Sequence, residues 1–114
     1  MPGKFLAEFE LYVMLAIAQL GDDAYGAAVR QEIEARTGRP VSIGALYATL
    51  ARLHAKGLIT LRTSREAGQR GRARRYGRLT PRGDTALRHS TEMLGRMMAG
   101  LALAPRGPAR SEGA

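Results

Sequence analysis

The sequence predicts a mainly α-helical domain that carries one small β-hairpin and a long final helix. Apolar residues recur at helical spacing in four segments of the 114-residue chain. Two short segments between the third and the fourth of these alternate and are rich in strand-forming residues. The length and the apolar content of 45% suit one domain with a single core.

Three helices are predicted in the first half of the chain. The first, residues 5–20, has little polar face and is expected to be buried on most sides. The second spans residues 24–36 and ends at Gly38, a residue type favoured at helix ends. Ser42 is the predicted N-cap of the third helix, residues 43–56. The residues predicted to form the core stripe of that helix are Ile43, Leu46, Leu50 and Leu53.

The opposite face of the third helix is small rather than charged. A solvated helix normally displays Glu and Lys, whereas a helix that approaches another surface closely displays Gly and Ala. At ~100° per residue this face holds Gly44, Ala45, Ala48, Ala51, Arg52 and Ala55, with Tyr47 on the flank. The small face predicts a close contact with a partner, and a helix packed on both faces is the alternative.

A β-hairpin is predicted after the third helix. Residues 58–63 alternate and contain β-branched side chains, which indicates a strand. Residues 75–79 are the returning strand, and residues 66–71 are the hairpin tip. Gly77 lies inside the returning strand, where glycine marks a bulge or a close approach of another backbone.

A final helix begins at Thr80, its predicted N-cap, with Pro81 in the first helical position. We expect this helix to run to about Ala104 and a disordered tail to begin at Pro105. The predicted division of the chain is a short tail (residues 1–4), a domain of helices and hairpin (5–80), a C-terminal helix (81–104) and a disordered tail (105–114).

Positive charge is concentrated in the second part of the chain. Residues 1–61 carry six basic and six acidic side chains, whereas residues 62–114 carry twelve and four. Five arginines and no acid fall within residues 70–78. Arginine offers a planar fork that suits phosphate groups and guanine edges. This concentration predicts a docking surface for a polyanion, and a solvated loop is the alternative.

Three helices followed by a two-stranded hairpin are the layout of a winged helix, a helix-turn-helix with a β-wing. In such a domain the start of the third helix enters the major groove of double-stranded DNA, and the wing contacts phosphates or the adjacent minor groove. The residues predicted to face bases are Gly44, Ala45, Ala48 and Arg52. The wing residues predicted to hold the flanks are Arg70, Arg72, Arg74 and Arg75. Long polar side chains are scarce on this helix, so DNA shape and thymine methyl contacts are expected to carry much of the specificity.

Several motifs of the chain resemble those of the PadR family of bacterial transcriptional regulators. They are Tyr25-Gly26, Ser42-x-Gly44-x-Leu46-Tyr47-x-x-Leu50-x-x-Leu53, Gly57-Leu58-Ile59, Gly71-Arg72-x-Arg74-Arg75-Tyr76 and Leu79-Thr80-x-x-Gly83. The resemblance covers roughly residues 11–90 in order and spacing. The sequence departs from the family pattern at Ala48, where the family usually has Pro, and at Gly77, where a second Tyr is common.

The resemblance implies a dimeric winged-helix repressor that binds an operator with two-fold symmetry, in the bacterial cytoplasm with the nucleoid. By position, it implies that Tyr25, Ser42, Gly44 and Tyr47 lie at the DNA beside the wing arginines. We expect Tyr25, Ser42 and Tyr47 to hold phosphates. The family builds its dimer from the first and last helices, and the single C-terminal helix here is similar to the compact branch of the family.

Dimerisation is also indicated by the spacing of apolar residues in the final helix. Leu87, Leu94 and Leu101 recur every seven residues, which is a partial heptad stripe on a long helix. The residues predicted to form the dimer interface are Leu11, Leu15, Leu87, Leu94, Met97, Met98 and Leu101. A monomeric helix folded back on the core is the alternative.

Composition excludes several classes of protein. The chain has no Cys, so disulfides and thiolate metal sites are impossible, and a reducing, intracellular setting is expected. His54 and His89 have no second ligand at metal spacing, so we expect no metal, no cofactor and no enzymatic activity. The longest apolar run, residues 11–18, is far shorter than the ~20 residues of a membrane span.

Two alternatives to sequence-specific DNA binding remain at this point: a winged helix that binds another protein, or one that binds RNA. RNA recognition usually requires exposed aromatic residues, which are scarce near the wing arginines. A small-molecule effector is compatible with DNA binding and is left open. One candidate effector site is a cavity lined by Met14, Met93, Met97 and Met98, although methionines at helical spacing are more often core residues.

Overall fold

The computed structural model describes residues 6–64 and 73–102 and shows the predicted succession of elements. The elements are α1 (Glu8–Leu20), a 3₁₀ turn (Gly21–Asp23), α2 (Gly26–Thr37), α3 (Ile43–Ala55), β1 (Ile59–Ser64), β2 (Arg74–Leu79) and α4 (Pro81–Met98). The mainly α-helical fold with one antiparallel hairpin is thus confirmed. Within the described ranges, no helix has the length and apolar content needed to cross a membrane.

The predicted helix caps are present. The Oγ of Ser42 accepts a hydrogen bond from the N–H of Ala45 at 3.0 Å at the start of α3. The Oγ1 of Thr80 accepts one from the N–H of Gly83, also at 3.0 Å, at the start of α4. Gly38 ends α2 with a φ of 75°, a conformation that glycine adopts without strain. Local side-chain chemistry therefore sets these three helix ends.

The core lies where α1 crosses α2 and α3 and meets the base of the hairpin. Val13, Met14 and Ile17 on α1 are buried, which confirms that this helix is largely enclosed by the rest of the domain. The other elements contribute Val29, Ile33, Leu46, Leu50, Leu53, Leu58, Ile59 and Leu87. Burial of these apolar surfaces is the main source of stability of the domain.

The core stripe of α3 differs from the prediction at its first member. Ile43 is 54% exposed, whereas Thr49 is 2% exposed and takes a place in the buried stripe. Ile43 is the first residue of α3, so its side chain lies at the end of the helix, where the core does not cover it. Thr49 is buried with its hydroxyl satisfied, because its Oγ1 accepts a hydrogen bond from the Nη2 of Arg52 at 3.0 Å.

We call the hairpin, residues 59–79, the wing. Its strands pair in regular antiparallel register from Ile59 opposite Leu79, with no bulge at Gly77. Gly77 marks a close approach instead: a Cβ at this position would lie 3.2 Å from the Cδ1 of Ile17. The N–H of Gly77 also donates to the carbonyl oxygen of Ala24 at 2.8 Å. The second of the two explanations for this glycine is therefore correct.

The start of α4 is joined closely to the turn between α3 and β1. The N–H of Thr80 donates to the carbonyl oxygen of Leu58 at 3.0 Å, and its Oγ1 donates to the carbonyl oxygen of Gly57 at 2.7 Å. Gly83 lies so close to this turn that a Cβ there would collide with the carbonyl oxygen of Leu58. Glycine is thus required at position 83 by packing.

The end of α4 corrects the predicted heptad stripe. The helix ends at Met98 rather than near Ala104, and Gly100 follows with a φ of 88°. Leu101 therefore lies beyond the helix. Leu87 is 8% exposed and belongs to the hydrophobic core of the domain. Of the three heptad leucines, only Leu94 lies exposed on the helix.

Candidate nucleic-acid interface

The exposed face of α3 is small, as predicted. We call the exposed residues of its N-cap and first two turns the α3 surface: Ser42, Ile43, Gly44, Ala45, Tyr47 and Ala48. Apart from Ile43 and Tyr47, the residues of this surface are Gly, Ala and Ser, which have the smallest side chains. Such a surface permits an approaching partner to reach the helix backbone closely.

Packing within residues 6–64 and 73–102 does not require glycine at position 44. A Cβ at this position would meet no heavy atom within 4 Å, and the residue has ordinary helical conformation. Glycine inside a helix costs about 0.5–1 kcal/mol relative to alanine. Because nothing in the described part of the chain requires glycine here, the open space at position 44 is suited to an external partner.

Two hydroxyl groups, those of Ser42 and Tyr47, belong to the α3 surface. The Ser42 hydroxyl accepts the capping hydrogen bond and keeps its own hydrogen for donation to another group. Tyr47 lies against the start of α2, where a Cβ at position 26 would collide with the Tyr47 hydroxyl. Gly26 thus allows the ring of Tyr47 to pack on the backbone that follows Tyr25. The structure brings the Tyr47 hydroxyl, one of the predicted phosphate-binding groups, next to the start of α2.

The arginines of the wing have different surroundings. Strand alternation puts Arg62, Arg74 and Arg78 on one face of the hairpin and Arg75 on the other. Arg78 pairs with Asp22 at 2.9 Å. The guanidinium carbon of Arg74 lies 4.1 Å from the centroid of the Tyr25 ring. Arg75 is exposed.

The predicted flanking residues Arg70 and Arg72 lie outside the residues that the structure describes.

Arg52 is the predicted base-facing residue that the structure does not bring to the α3 surface. Its Nη2 bonds to Thr49, and its Nε lies 3.5 Å from the Oε2 of Glu10 on α1. The guanidinium is therefore turned toward α1. The Arg52 side chain is nevertheless 55% exposed, so its contact with bases remains a prediction.

Glu10 is a buried carboxylate that the sequence pattern did not single out. Its side chain is 5% exposed, its Oε2 accepts from the Nζ of Lys56 at 2.9 Å, and its Oε1 accepts from the N–H of Ala7 at 3.1 Å. Burial by itself raises the pKa of Glu10, but the hydrogen bonds from Lys56 and Ala7 and the charge of Lys56 outweigh burial and hold this pKa below its ordinary value of 4.5. The one available signal was its place in the first helical turn, where a carboxylate can reach back to the N-cap amide.

An apolar groove of about 500 Å³ lies between the start of α1 and the second half of α4. Its lining residues are Leu6, Glu8, Leu11, Tyr12, Ser90, Met93, Leu94 and Met97. Met97 is 79% exposed, and Leu11 is half-buried beside it. Met14 is fully buried in the core, so the expected cavity lined jointly by Met14 and the α4 methionines is wrong.

Residues 14–89 match the model of the transcriptional regulator PadR-like family. The chain belongs to this family. Over 82 residues it is 43% identical to transcriptional regulator Rv3488 of Mycobacterium tuberculosis, an alignment that covers 69% of this chain and 73% of that protein. The predicted family is thus confirmed, and the chain is a transcriptional regulator of the PadR family.

Solved structures of related regulators share the fold of this PadR-family chain. RosR of H. salinarum has a TM-score of 0.67 at 26% identity, with 87% of this chain and 81% of that chain covered. A PadR family transcriptional regulator from Eggerthella lenta has a TM-score of 0.62 at 29% identity, with 81% and 82% covered. These similarities confirm the winged-helix architecture.

In this PadR-family chain the predicted site residues fall into two groups. The predicted DNA-contacting residues near the α3 surface and the wing base are Tyr25, Ser42, Gly44, Ala45, Tyr47, Ala48, Arg74 and Arg75. The predicted dimer residues along α1 and the end of α4 are Leu11, Leu15, Leu94, Met97, Met98 and Leu101. Arg52 lies apart from the first group, beside Glu10, with its side chain 55% exposed. Leu87 belongs to neither group, because it lies in the core.

Proposed function

We propose that this regulator is a homodimeric repressor that binds double-stranded DNA with sequence specificity, in the cytoplasm with the nucleoid. The observation that carries the proposal is the α3 surface, a helix face that is small, exposed and open at Gly44. Repression, as opposed to activation, rests on the family resemblance alone.

The α3 surface suits the major groove, which is about 12 Å wide and admits a helix. Gly44, Ala45 and Ala48 let the backbone approach base edges closely. Ile43 stands exposed at the start of the helix, the part that usually lies nearest the bases. An apolar side chain there is suited to the thymine methyl group, so we expect apolar contacts and DNA shape to determine the preferred sequence.

We assign phosphate contacts to two hydroxyls of the α3 surface and to arginines of the wing. The hydroxyls of Ser42 and Tyr47 are placed to donate to phosphate oxygens. Arg75 of the wing is exposed and supplies a charged donor. Arg70 and Arg72 of the arginine-rich segment are proposed to act on the same flank, since Arg is attracted into the narrow minor groove. The formal charge of +8 favours this association.

The homodimer is supported by the apolar side chains at the end of α4. Leu94 and Met98 are about half exposed, and Met97 is more exposed still. Leu11 on α1 lines the same groove as Leu94 and Met97, and a second copy of the chain would cover this apolar area together with Leu15 and Met98. Two copies related by a two-fold axis would present two α3 surfaces to two half-sites of a palindromic operator.

Binding to DNA is tested with the duplex directly upstream of the gene for this protein and with a duplex selected by the protein from a randomised pool. A scrambled duplex is the reference, and salt is varied from about 50 to 200 mM, a range over which phosphate contacts weaken steeply. We expect a preference of about 10³ or more over the scrambled duplex. Equal affinity for selected and scrambled duplexes would contradict specific recognition.

A matched control separates a phosphate contact from a general loss of charge. Arg75→Ala is expected to make the salt dependence shallower by about one unit for each phosphate that the arginine neutralises in a half-site. Arg88→Ala removes the same charge from α4, where Arg88 pairs with Asp84 at 2.8 Å, and is expected to leave the slope unchanged. Equal effects of the two substitutions would show that wing charge acts only through the net charge of the chain.

A further inference from the structure

The wing is held to the start of α2 by its backbone. Besides its pairing with β1, strand β2 makes a bridge in which Tyr76 faces Tyr25 in antiparallel orientation. The hydrogen bond from the N–H of Gly77 to the carbonyl oxygen of Ala24, at 2.8 Å, belongs to this bridge. The residues that connect α1 to α2 therefore act as a short third strand at the base of the wing.

Four side chains form a row across this bridge. The rings of Tyr25 and Tyr76 meet edge to face, with centroids 5.6 Å apart and planes inclined at 60°. The guanidinium of Arg74 covers the ring of Tyr25 at 4.1 Å, and that of Arg62 covers the ring of Tyr76 at 4.8 Å. A cation over each aromatic ring is attracted by the negative face of the ring. We call these four residues the wing stack.

The residue after Tyr25 contacts the other DNA-facing element. Gly26 is buried, and its missing Cβ leaves the space that the hydroxyl end of Tyr47 occupies. Consecutive residues thus touch the wing and α3: Tyr25 through its ring, Gly26 through its backbone. The angle between the wing and α3 depends on the junction formed by these two residues.

We propose that Tyr25 and Arg74 are positioning residues, which orient the wing relative to α3 through the wing stack, instead of contacting DNA phosphates themselves. The inference rests on the proposed function, because it assigns roles within the same DNA-binding surface. It revises the expectations that Tyr25 holds a phosphate and that Arg74 holds the flank of the DNA site. Arg74 lies half-buried on the ring of Tyr25, whereas the neighbouring Arg75 is exposed on the opposite face.

Arg74 and Arg75 provide a matched pair for the test, since each substitution by alanine removes one charge from adjacent positions of β2. The probe is the duplex selected from a randomised pool. Arg75→Ala is expected to reduce the salt slope by about one unit for each phosphate that this arginine neutralises in a half-site. Arg74→Ala is expected to retain the wild-type slope and to lose affinity by about 3- to 10-fold at every salt concentration.

Tyr25 is tested by separating its ring from its hydroxyl. Tyr25→Phe keeps the ring and is expected to bind within about twofold of wild type, whereas Tyr25→Leu should lose as much affinity as Arg74→Ala. The double variant with Tyr25→Leu and Arg74→Ala should bind DNA no more weakly than the weaker-binding single variant, because both substitutions remove the same contact between Arg74 and the Tyr25 ring. Adding Arg75→Ala to Tyr25→Leu should instead be additive.

A measurement without DNA reports on the wing itself. The amide of Gly77 is hydrogen-bonded to Ala24, so its hydrogen exchange rate follows opening of the wing base. Arg74→Ala and Tyr25→Leu are expected to accelerate this exchange several-fold, and Arg75→Ala and Tyr25→Phe to leave it unchanged. If Tyr25→Leu does not fold, Arg74→Ala, Arg75→Ala and Tyr25→Phe are sufficient for both comparisons.

The possible failures are distinguishable. A salt slope reduced by Arg74→Ala as much as by Arg75→Ala, or a Tyr25→Phe variant as weak as Tyr25→Leu, would identify phosphate contacts and overturn the inference. Unchanged exchange at Gly77 in Arg74→Ala would overturn it as well. If wild-type protein shows no preference for any selected duplex, the proposed function fails, and the Gly77 exchange rates still decide whether the wing stack orients the wing.

Discussion

The Nζ of Lys56, at the end of α3, donates to the Oε2 of Glu10, near the start of α1, at 2.9 Å. The other carboxylate oxygen of Glu10 accepts from the N–H of Ala7 and closes the first turn of α1. One buried side chain therefore caps its own helix and fastens a second. Because the carboxylate is 5% exposed, it depends on these donors for its charge to be tolerated.

Replacing Glu10 is expected to change the dependence of stability on pH. The pKa of Glu10 is lowered in the native state, so below the ordinary value of 4.5 the unfolded chain binds the proton more readily. The stability that Glu10 contributes is thus fully present above that value and is lost as the pH falls through the native pKa. We expect Glu10→Gln to cost about 1–2 kcal/mol at neutral pH and the difference from wild type to shrink in acid, as measured by urea unfolding.

Lys56→Met is the control for this effect. It removes the nearest donor and leaves the carboxylate, so the pKa of Glu10 should rise and the acid-dependent loss should begin at a higher pH. Equal pH profiles for wild type and Glu10→Gln would show that the carboxylate contributes no pH-dependent stability.

Gly44→Ala is expected to stabilise the protein and weaken its binding to DNA. The added methyl group meets no protein atom within 4 Å and favours the helix, so unfolding should become about 0.5–1 kcal/mol less favourable. The same methyl group increases the shortest distance at which the α3 backbone can approach a base edge. Affinity for the selected duplex should therefore fall about tenfold, as for one mismatched base pair. Thermal unfolding and a binding titration measure the two effects on the same sample.

Gly95→Ala is the matched control, because a Cβ at position 95 in α4 also meets nothing within 4 Å. It should give a similar gain in stability with unchanged DNA affinity. A Gly44→Ala variant that binds as tightly as wild type would remove the main support for α3 as the reading helix.

Gly83→Ala is expected to destabilise the domain by about 3 kcal/mol, the upper end of the range for overpacking. The new Cβ would collide with the carbonyl oxygen of Leu58, a backbone atom that cannot rotate away. Chemical denaturation gives the free energy of unfolding of this variant and of Gly95→Ala. The second substitution is on the same helix, at a position where the new Cβ meets no atom within 4 Å. A stability equal to that of wild type would mean that α4 can separate from the turn before β1 at no cost in stability.

Met97→Glu is expected to dissociate the proposed dimer and leave the protomer folded. Met97 is 79% exposed in the protomer, so the charge is tolerated in a monomer and is costly only if a second copy covers it. Sedimentation gives the mass, and circular dichroism checks the fold. Thr85→Glu is the control, since at ~100° per residue it lies on the side of α4 opposite Leu94. An unaltered mass in Met97→Glu would exclude the end of α4 from the interface.

Features decided by local chemistry were predicted from the sequence. Ser42 and Thr80 cap their helices because a hydroxyl before a helix has a nearby amide to accept from. Gly77 was predicted to mark a bulge or a close approach of another backbone, because glycine inside a strand usually has one of these two causes. The small face of α3 followed from helical periodicity, which places residues by angle without knowledge of their neighbours.

Features decided by tertiary partners could not be predicted. Ile43 satisfies the periodicity of the core stripe, but its exposure depends on where the elements around α3 end. Glu10 and Lys56 are 46 positions apart, and nothing in either segment indicates the other. The arginines of β2 look alike in the sequence and differ in their tertiary partners, since Arg74 lies over the ring of Tyr25 and Arg78 pairs with Asp22. α4 ends at Met98 because the backbone turns to an extended conformation at Ala99, which apolar spacing does not detect.

The junction at Tyr25 and Gly26 has a consequence for operator geometry. If α3 and the wing both contact one duplex, the junction at Tyr25 and Gly26 would set the distance between their contacts along the DNA axis. Substitutions in the wing tip would then change the side chains that contact the flanking DNA and leave the distance between the α3 and wing contacts unchanged. Related regulators that differ only in the tip would accept operators with different flanking sequences at the same spacing.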